Sequence, residues 1–336
     1  MTVFYKRNTN IYISKAPDGS ANATNTVQLN VKDFSYNQNS RVVEVSRHTL
    51  DPTEERTLDP HIASITPVNF TFTTYVLSVV DTNVTSPEEY LWISLMGLDS
   101  TTSSPTESTI DFANGNVAEL PNLTIWFDQP TQSEGNYRLD NAVVDSATIN
   151  FNINGIAEIQ WSGRALSMLE DNVPPLNTDR TGLTNYIKNR PSTIALNMNS
   201  VDYTLALTGG QIKIDNQVQY YGRTKIGETT QPVGHYTGDR KVSGNLQFYM
   251  RAGTNRTVDL FNTILTNAAT TAYESTYLAS ITINVGGLTN NPRLTLLIPQ
   301  ALLALGRQDF KELITVDVPF VAQEEASNYL NVTYVI

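Results

Sequence analysis

The sequence predicts an all-β chain arranged as two tandem units with one helix in each. Three observations carry this. Apolar and polar residues alternate with period 2 through most of the chain, the mark of half-buried antiparallel strands. Only two segments show helical spacing with helix-start signals. The order and spacing of elements before residue 164 recur after residue 192.

The first unit opens with a strand over Val27–Tyr36 and a long polar loop, Asn37–Thr66. In the next strand, Pro67–Val79, Val68, Phe70 and Phe72 alternate with Asn69, Thr71 and Thr73. Ser86-Pro87-Glu88-Glu89 reads as a helix start: the serine caps, proline suits the first turn, and Glu89 completes a capping box. Leu91, Trp92 and Leu95 form the helix's apolar stripe, and Gly97 is its stop. Strands at Leu123–Phe127, Tyr137–Val144 and Ala147–Gly163 complete the unit. There Ile149, Phe151 and Ile153 alternate with Asn150, Asn152 and Asn154, and Ile159 and Trp161 with Glu158, Gln160 and Ser162.

The second unit repeats this order: a strand over Thr193–Leu207 continuing to Ile214, a polar loop Asn216–Lys241, and a strand Val242–Arg251. A helix from about Asn255 to Thr270 places Val258, Phe261, Ile264, Leu265 and Ala268 on one face, with Asp259 near its positive end. Strands follow at Leu278–Val285, Arg293–Leu302, Lys311–Val321 and Tyr329–Ile336; in the third, Ile314, Val316, Val318 and Phe320 form the apolar face. Gly163–Pro191, with Pro174-Pro175 and a turn-rich run at Asn177–Gly182, reads as a connection carrying a short helix at Ala165–Glu170. The expected division is therefore 1–164, a connection 165–191, and 192–336.

Composition removes several functions. The net charge is −11, and the first 168 residues hold 19 acidic and 9 basic residues against 14 and 13 in the remainder. An acidic surface repels nucleic-acid phosphates, although the same acidity also serves plain solubility. The chain has no cysteine, which excludes disulfides, thiolate metal sites and a cysteine nucleophile. No run approaches the ~18 apolar residues of a membrane helix, and Met1–Asn8 lacks the pattern of a signal peptide.

Catalytic chemistry finds no foothold. Glu54 and Glu55 are adjacent, so they do not assign themselves to opposite faces of a sugar. His48 and His61 flank Asp51, Glu54 and Asp59, yet the spacing matches no metal-ligand pattern. Gly209-Gly210 and Gly286-Gly287 lack the phosphate-loop lysine and read as turns or bulges. No catalytic, cofactor-binding or metal residue is assigned, and no cofactor is expected. The two long loops are more informative, because each mixes both charge signs with too few apolar residues for a core. Such loops are mobile or ordered by a partner, and their presence in both units favours the partner.

The phrase Ser46-Arg47-His48-Thr49-Leu50-Asp51-Pro52-Thr53-Glu54-Glu55-Arg56, followed by Pro67-Val68-Asn69-Phe70-Thr71-Phe72-Thr73-Thr74-Tyr75, carries a resemblance. Together with the two-unit organisation, it makes the chain resemble the tail tube proteins of long-tailed bacteriophages, of the siphophage type with a duplicated tube domain. The resemblance implies two tandem β-sandwich domains, each flanked by a helix, whose inner sheets join into a β-barrel ring. Three such chains would make a pseudo-hexameric ring. It implies that rings stack through the two long loops. The stacking candidates are Glu44, Arg47, His48, Asp51, Glu54, Glu55, Arg56 and Asp59 in the first, and Arg223, Lys225, Glu228, His235, Asp239 and Arg240 in the second. It further implies self-association into a virion tail tube assembled in the host cytoplasm. A tape measure protein would fill the lumen during assembly, terminator and tip proteins would sit at the ends, and DNA would pass without specific binding. Some relatives add an immunoglobulin-like domain, and the strand running to Ile336 predicts none here.

Neutral polar strand faces suit a wet lumen, ring closure removes exposed strand edges, and a negative lumen would let DNA slide past. Asn150, Asn152, Glu158, Gln160, Thr315 and Asp317 are the lumen candidates; an outer surface satisfies the same strand pattern. The competing reading is a tandem β-sandwich adhesin or carbohydrate-binding virion protein, which predicts clustered exposed aromatics and a monomer or fibre. A β-rich hydrolase and a capsid or decoration protein are further alternatives.

Overall fold

Period-2 alternation becomes alternating burial in three dimensions. A computed structural model describes residues 9–17, 20, 25–47, 57–77, 88–98, 102–103, 107–111, 115–116, 118–129, 134–171, 186–221, 234–269, 278–287, 293–324 and 329–335. The N-terminal half contains β1 (Asn10–Ser14), β2 (Thr26–Leu29), β3 (Val31–Asn37), β4 (Ser40–Arg47), β5 (Thr57–Ile65) and β6 (Val68–Tyr75). It continues with α1 (Glu89–Met96), β7 (Thr102–Ser103), β8 (Glu107–Asp111), β9 (Leu123–Asp128), β10 (Tyr137–Asn152) and β11 (Glu158–Glu170). The C-terminal half contains β12 (Thr193–Met198), β13 (Val201–Tyr203), β14 (Leu207–Asp215), β15 (Gln219–Tyr221), β16 (Gly234–Tyr236) and β17 (Lys241–Tyr249). Then come α2 (Thr257–Ala269), β18 (Leu278–Val285), β19 (Arg293–Leu303), β20 (Arg307–Asp309), β21 (Thr315–Gln323) and β22 (Asn331–Val335).

Seven strands stand side by side, all antiparallel, in the order β3–β6–β11–β10–β14–β17–β21. Both halves contribute, and β10–β14 is the seam. One face of this sheet is apolar: Phe72, Trp161, Ala147, Ile214 and Val242 lie in one cross-strand row and are all buried. The next row, Thr73, Gln160, Thr148, Lys213 and Ser243, lies on the opposite, polar face.

β10 works in two sheets. Up to Ala142 it pairs with β9, and from Ser146 it pairs with β14, while β11 flanks it throughout. Asn141 at φ 50° and a register shift between Val144 and Ser146 mark the switch. β9 leads on to β1 and β2. In the C-terminal half β19 forks in the same way, and the order β13–β12–β18–β19–β22–β8–β7 forms an outer sheet. β8 comes from the N-terminal half, so the outer sheet is shared. Followed pair by pair, the ladders branch at β10, β19 and β21 and close no barrel among the described residues. The pairing order β3–β6–β11–β10–β9–β1–β2 has its counterpart in β14–β17–β21–β19–β18–β12–β13.

One contiguous hydrophobic cluster runs through both halves, from Ile11 to Tyr334. α1 is buried over Leu91–Met96 and ends at Gly97, whose φ of 73° suits glycine, as its sequence suggests.

Several expectations change. Ala165–Glu170 is the end of β11 and not a helix. Ala165 and Ser167 are buried while Leu166 and Met168 are half-buried, so both faces are partly covered and the alternation is masked in the sequence. The strand expected over Val27–Tyr36 breaks at Asn30 into β2 and β3. Ser86 and Pro87 lie outside the described residues. Glu88 makes no side-chain cap; it is buried and accepts a hydrogen bond from the Tyr334 hydroxyl at 3.3 Å. In α2 the buried residues are Thr257, Leu260 and Ile264, with Leu265 and Ala268 exposed. Ile153 and Ile314 sit at hairpin turns and are exposed, whereas Val316, Val318 and Phe320 are buried as expected. Gly209 lies at a register shift in β14, as a bulge glycine should.

Candidate functional site

Two ribbons leave the central sheet at corresponding places. β4 and β5 pair as a separate two-stranded sheet between β3 and β6, and β15 and β16 do so between β14 and β17. The first ribbon exposes Val42, Val43 and Ile62, with Val42 directly opposite Ile62. Glu44 is exposed on β4. Arg47 ends β4 and Asp59 lies in β5. His48, Asp51, Glu54, Glu55, Arg56, Arg223, Lys225 and Glu228 lie outside the described residues. The second ribbon exposes Tyr221 and Tyr236, stacked at 6.5 Å. Its base is tied to the N-terminal half: the Val218 amide donates to Asp145 at 2.6 Å, and the Tyr220 hydroxyl lies 3.1 Å from the carbonyl oxygens of Asn141 and Arg164. Burial pushes the Asp145 carboxyl and the Tyr220 hydroxyl up from their ordinary pKa values. His235, half-buried beside the Tyr220 ring at 5.8 Å, is pushed down by burial.

Asp239 and Arg240, adjacent in sequence, part company. Asp239 is exposed, while Arg240 is 8% exposed. Its Nη2 donates to the carbonyls of Leu95 and Met96, each at 3.0 Å, and its Nε donates to Asn216 at 2.9 Å. Asn216 in turn donates to the Leu95 carbonyl at 2.6 Å. The last carbonyls of α1 carry the negative end of the helix dipole, which is the reason a cation settles there. Burial lowers the Arg240 pKa to about 10, still high enough to keep it charged at neutral pH. Arg240 is therefore held inside the chain, as a clamp from the C-terminal half onto the helix of the N-terminal half.

The six strand residues expected on a polar surface share the polar face of the central sheet. Asn150 pairs with Glu158 across β10–β11, and Thr148 with Gln160. Asn152 lies opposite Gly209, and Asp317 opposite Gln247. Asn150, Asn152 and Gln160 are exposed, and Glu158, Thr315 and Asp317 half-buried. The charges on this face interleave: Lys32 meets Glu158 at 2.6 Å, Lys213 meets Asp215 at 2.7 Å, and Asn245 donates to Asp317 at 2.8 Å. The charges of this face are thus paired locally. Exposed pairs of this kind add little stability.

Two features escaped the sequence. One is the edge formed by β20 and its turn, where Leu305, Phe310, Leu313 and Ile314 are exposed. Large apolar residues in a short turn with no core to reach are the signal by which it could have been found. The other is a cleft of about 620 Å³ beside β3, between Thr9–Ile11 and Gln28–Phe34. Among the described residues, no helix is long and apolar enough to cross a membrane.

No family model matches the chain. It is similar to the tail tube protein pb6 of Escherichia phage T5, at 25% identity over 288 residues. That match takes in 79% of this chain and 61% of the relative, so the chain spans about three-fifths of that protein's length. The resemblance to siphophage tail tube proteins is supported by this relative.

Proposed function

We propose that this chain is the structural subunit of a phage tail tube, non-enzymatic and resident in the virion tail. The observation that carries this reading is the similarity to a tail tube protein across 79% of the chain, a span that takes in both halves. The matched strand-pairing orders support a duplicated tube domain, divided near 1–164 and 192–336 about a connection. Two equivalent units per chain make a ring of three chains pseudo-hexameric.

In this reading the polar face of the central sheet lines the channel, with Asn150, Asn152, Glu158, Gln160, Thr315 and Asp317 on it. Its interleaved charges give DNA little to bind, so passage is non-specific and unhindered. The two ribbons stack one ring on the next; the exposed Val42–Ile62 pair supplies apolar contact there, and the charged loop residues supply register. Tape measure protein in the lumen and terminator or tip proteins at the ends complete the assembly, which forms in the host cytoplasm. Electron microscopy of the purified protein tests the reading. Hollow tubes or rings of fixed diameter are expected; monomers or solid fibres would overturn it.

A further inference from the structure

β10 drops two residues from its ladders. Asn141 and Asp145 stand opposite no residue of β9, β11 or β14, although Asp140, Ala142, Val143, Val144 and Ser146 all have partners. Asn141 lies at φ 50° and Asp145 at the register shift, the stretch over which β10 passes from one sheet to the other. A residue dropped from a ladder has its backbone and side chain free for another partner, and bulges re-aim side chains in this way. Here both residues find the same partner, the second ribbon. The Asn141 carbonyl accepts from the Tyr220 hydroxyl, which also reaches the Arg164 carbonyl of β11, each at 3.1 Å. The Asp145 carbonyl accepts from the Asn216 amide at 2.9 Å, and its carboxylate accepts from the Val218 amide at 2.6 Å. Asn216, Val218 and Tyr220 recur at every second position, so one side of the strand entering the ribbon is held by β10. Val218 also joins Val143 and Leu120 in a small buried cluster, with Tyr220 packed against it.

Strand alternation sends the intervening residues to the other face. Tyr220 lies opposite His235 on the held face, whereas Gln219 lies opposite Tyr236 and Tyr221 opposite Gly234 on the outer one. Tyr221 and Tyr236 are exposed there, their rings inclined by only 27°. This outer face is ordered by its own contacts. The Tyr236 hydroxyl donates to the Gln219 side-chain oxygen at 2.6 Å. The Tyr221 ring lies across Gly234, where a Cβ would come within 2.5 Å of its hydroxyl oxygen. The ribbon is thus gripped on one face and presents a preformed aromatic surface on the other. The first ribbon is tied differently. Among the described residues, the hydrogen bonds at its base join Gln38 and Asn39 to Thr66, its own two ends.

We infer that the irregular stretch of β10 is a socket that aims the second ribbon, and that Asp145 and Tyr220 are positioning residues for its Tyr221–Tyr236 face. This rests on the stacking role proposed above, in which that face meets a second copy of the chain in the next ring. Asp145 and Tyr220 act through the ribbon: they fix the direction in which the outer tyrosines point. A surface held at one angle before contact loses less conformational entropy on binding, so the socket strengthens the contact without adding to it. Tyrosine suits the task, because its ring gives apolar area while its hydroxyl keeps the surface wet until the next ring arrives. The turning point of β10 therefore does two jobs, carrying the strand between sheets and orienting an element of the other half.

Hydrogen exchange on the unassembled full-length chain reads the hold, and tube growth reads its consequence. Tyr220→Phe removes one oxygen and keeps the ring. Amides in 216–221 and 234–240 should then exchange roughly tenfold faster, while those of β11 and β17 keep the wild-type rate. The concentration needed for tube growth should rise roughly tenfold. Asp145→Asn keeps an oxygen acceptor for the Val218 amide and should stay within about twofold of wild type, whereas Asp145→Ala should match Tyr220→Phe. Tyr221→Ala should impair growth while leaving exchange over 216–220 at the wild-type rate, which separates the aimed surface from its support. A purely structural role would speed exchange in β11 and β17 together with the ribbon, and that result overturns the proposal. Local release with unchanged tube growth overturns it as well. If Asp145→Ala fails to fold, Tyr220→Phe decides. Tubes formed equally well by the wild type and by Tyr220→Phe would sink the socket alone, whereas a wild-type chain that forms no tubes would sink the stacking reading and this use of the ribbon with it.

Discussion

Trp92 donates its indole N–H to the Tyr334 hydroxyl at 2.9 Å, joining α1 to the last strand across 242 residues. Tyr334 passes its own proton toward Glu88 at the start of α1, and all three side chains are buried. The Trp92 ring also meets Trp161 edge-on at 4.9 Å, so the helix is fixed against the central sheet and the outer sheet together. Replacing Tyr334 by Phe keeps the packing and removes one partner each from Trp92 and Glu88. A loss of about 1–3 kcal/mol is expected, read from denaturant midpoints at constant m-value.

Arg240 and Asp239 offer a contrast within two residues. Arg240→Ala strips buried α1 carbonyls of a charged donor and leaves a void, so a loss of about 2–4 kcal/mol is expected. Asp239→Ala, at an exposed position, should stay within about 0.5 kcal/mol. Equal effects at the two positions would remove the clamp from the account.

His235 gives stability a pH dependence. Its folded pKa lies below the ordinary 6.5, so the unfolded chain takes up a proton first as pH falls. The stabilisation is complete above about pH 6.5 and is lost as pH falls from there through the lower folded value. Melting temperature should drop between pH 7 and pH 5, and His235→Phe should flatten part of that slope relative to the parent. An unchanged slope would exclude His235 as its source.

Gly163 admits no side chain. A Cβ there would stand 2.3 Å from the Val143 carbonyl oxygen and 2.4 Å from the Phe70 ring. Backbone on one side prevents simple relaxation, so Gly163→Ala should cost at least about 2 kcal/mol by overpacking. Equilibrium unfolding of that variant measures it, and a neutral result would place the ring elsewhere.

The proposed role of the first ribbon has its own test. Deleting Arg47–Arg56 should leave a folded protein, seen by an unchanged circular dichroism spectrum, and abolish tube growth. Normal tubes from the deletion would count heavily against ring stacking through that loop.

How far the sequence reached follows from burial. Val68, Phe70 and Phe72 alternate in the chain because only one face of β6 meets the core, and period 2 survives wherever that holds. It fails at Leu166 and Met168, where both faces are partly covered, and a strand there took on the look of a helix. β8 is a short Ser/Thr-rich segment whose partner, β22, lies in the other half, and no local pattern records such a crossing. Arg240 looked like a loop charge because its partners are backbone carbonyls, which any sequence possesses.

The central claim is that one chain supplies two equivalent units to a closed ring. Class-averaged end-on electron micrographs of purified assemblies measure this most directly. The account predicts three chains per ring, with six similar lobes around an open channel and true threefold symmetry. A ring of six chains, or particles with no channel, would contradict it.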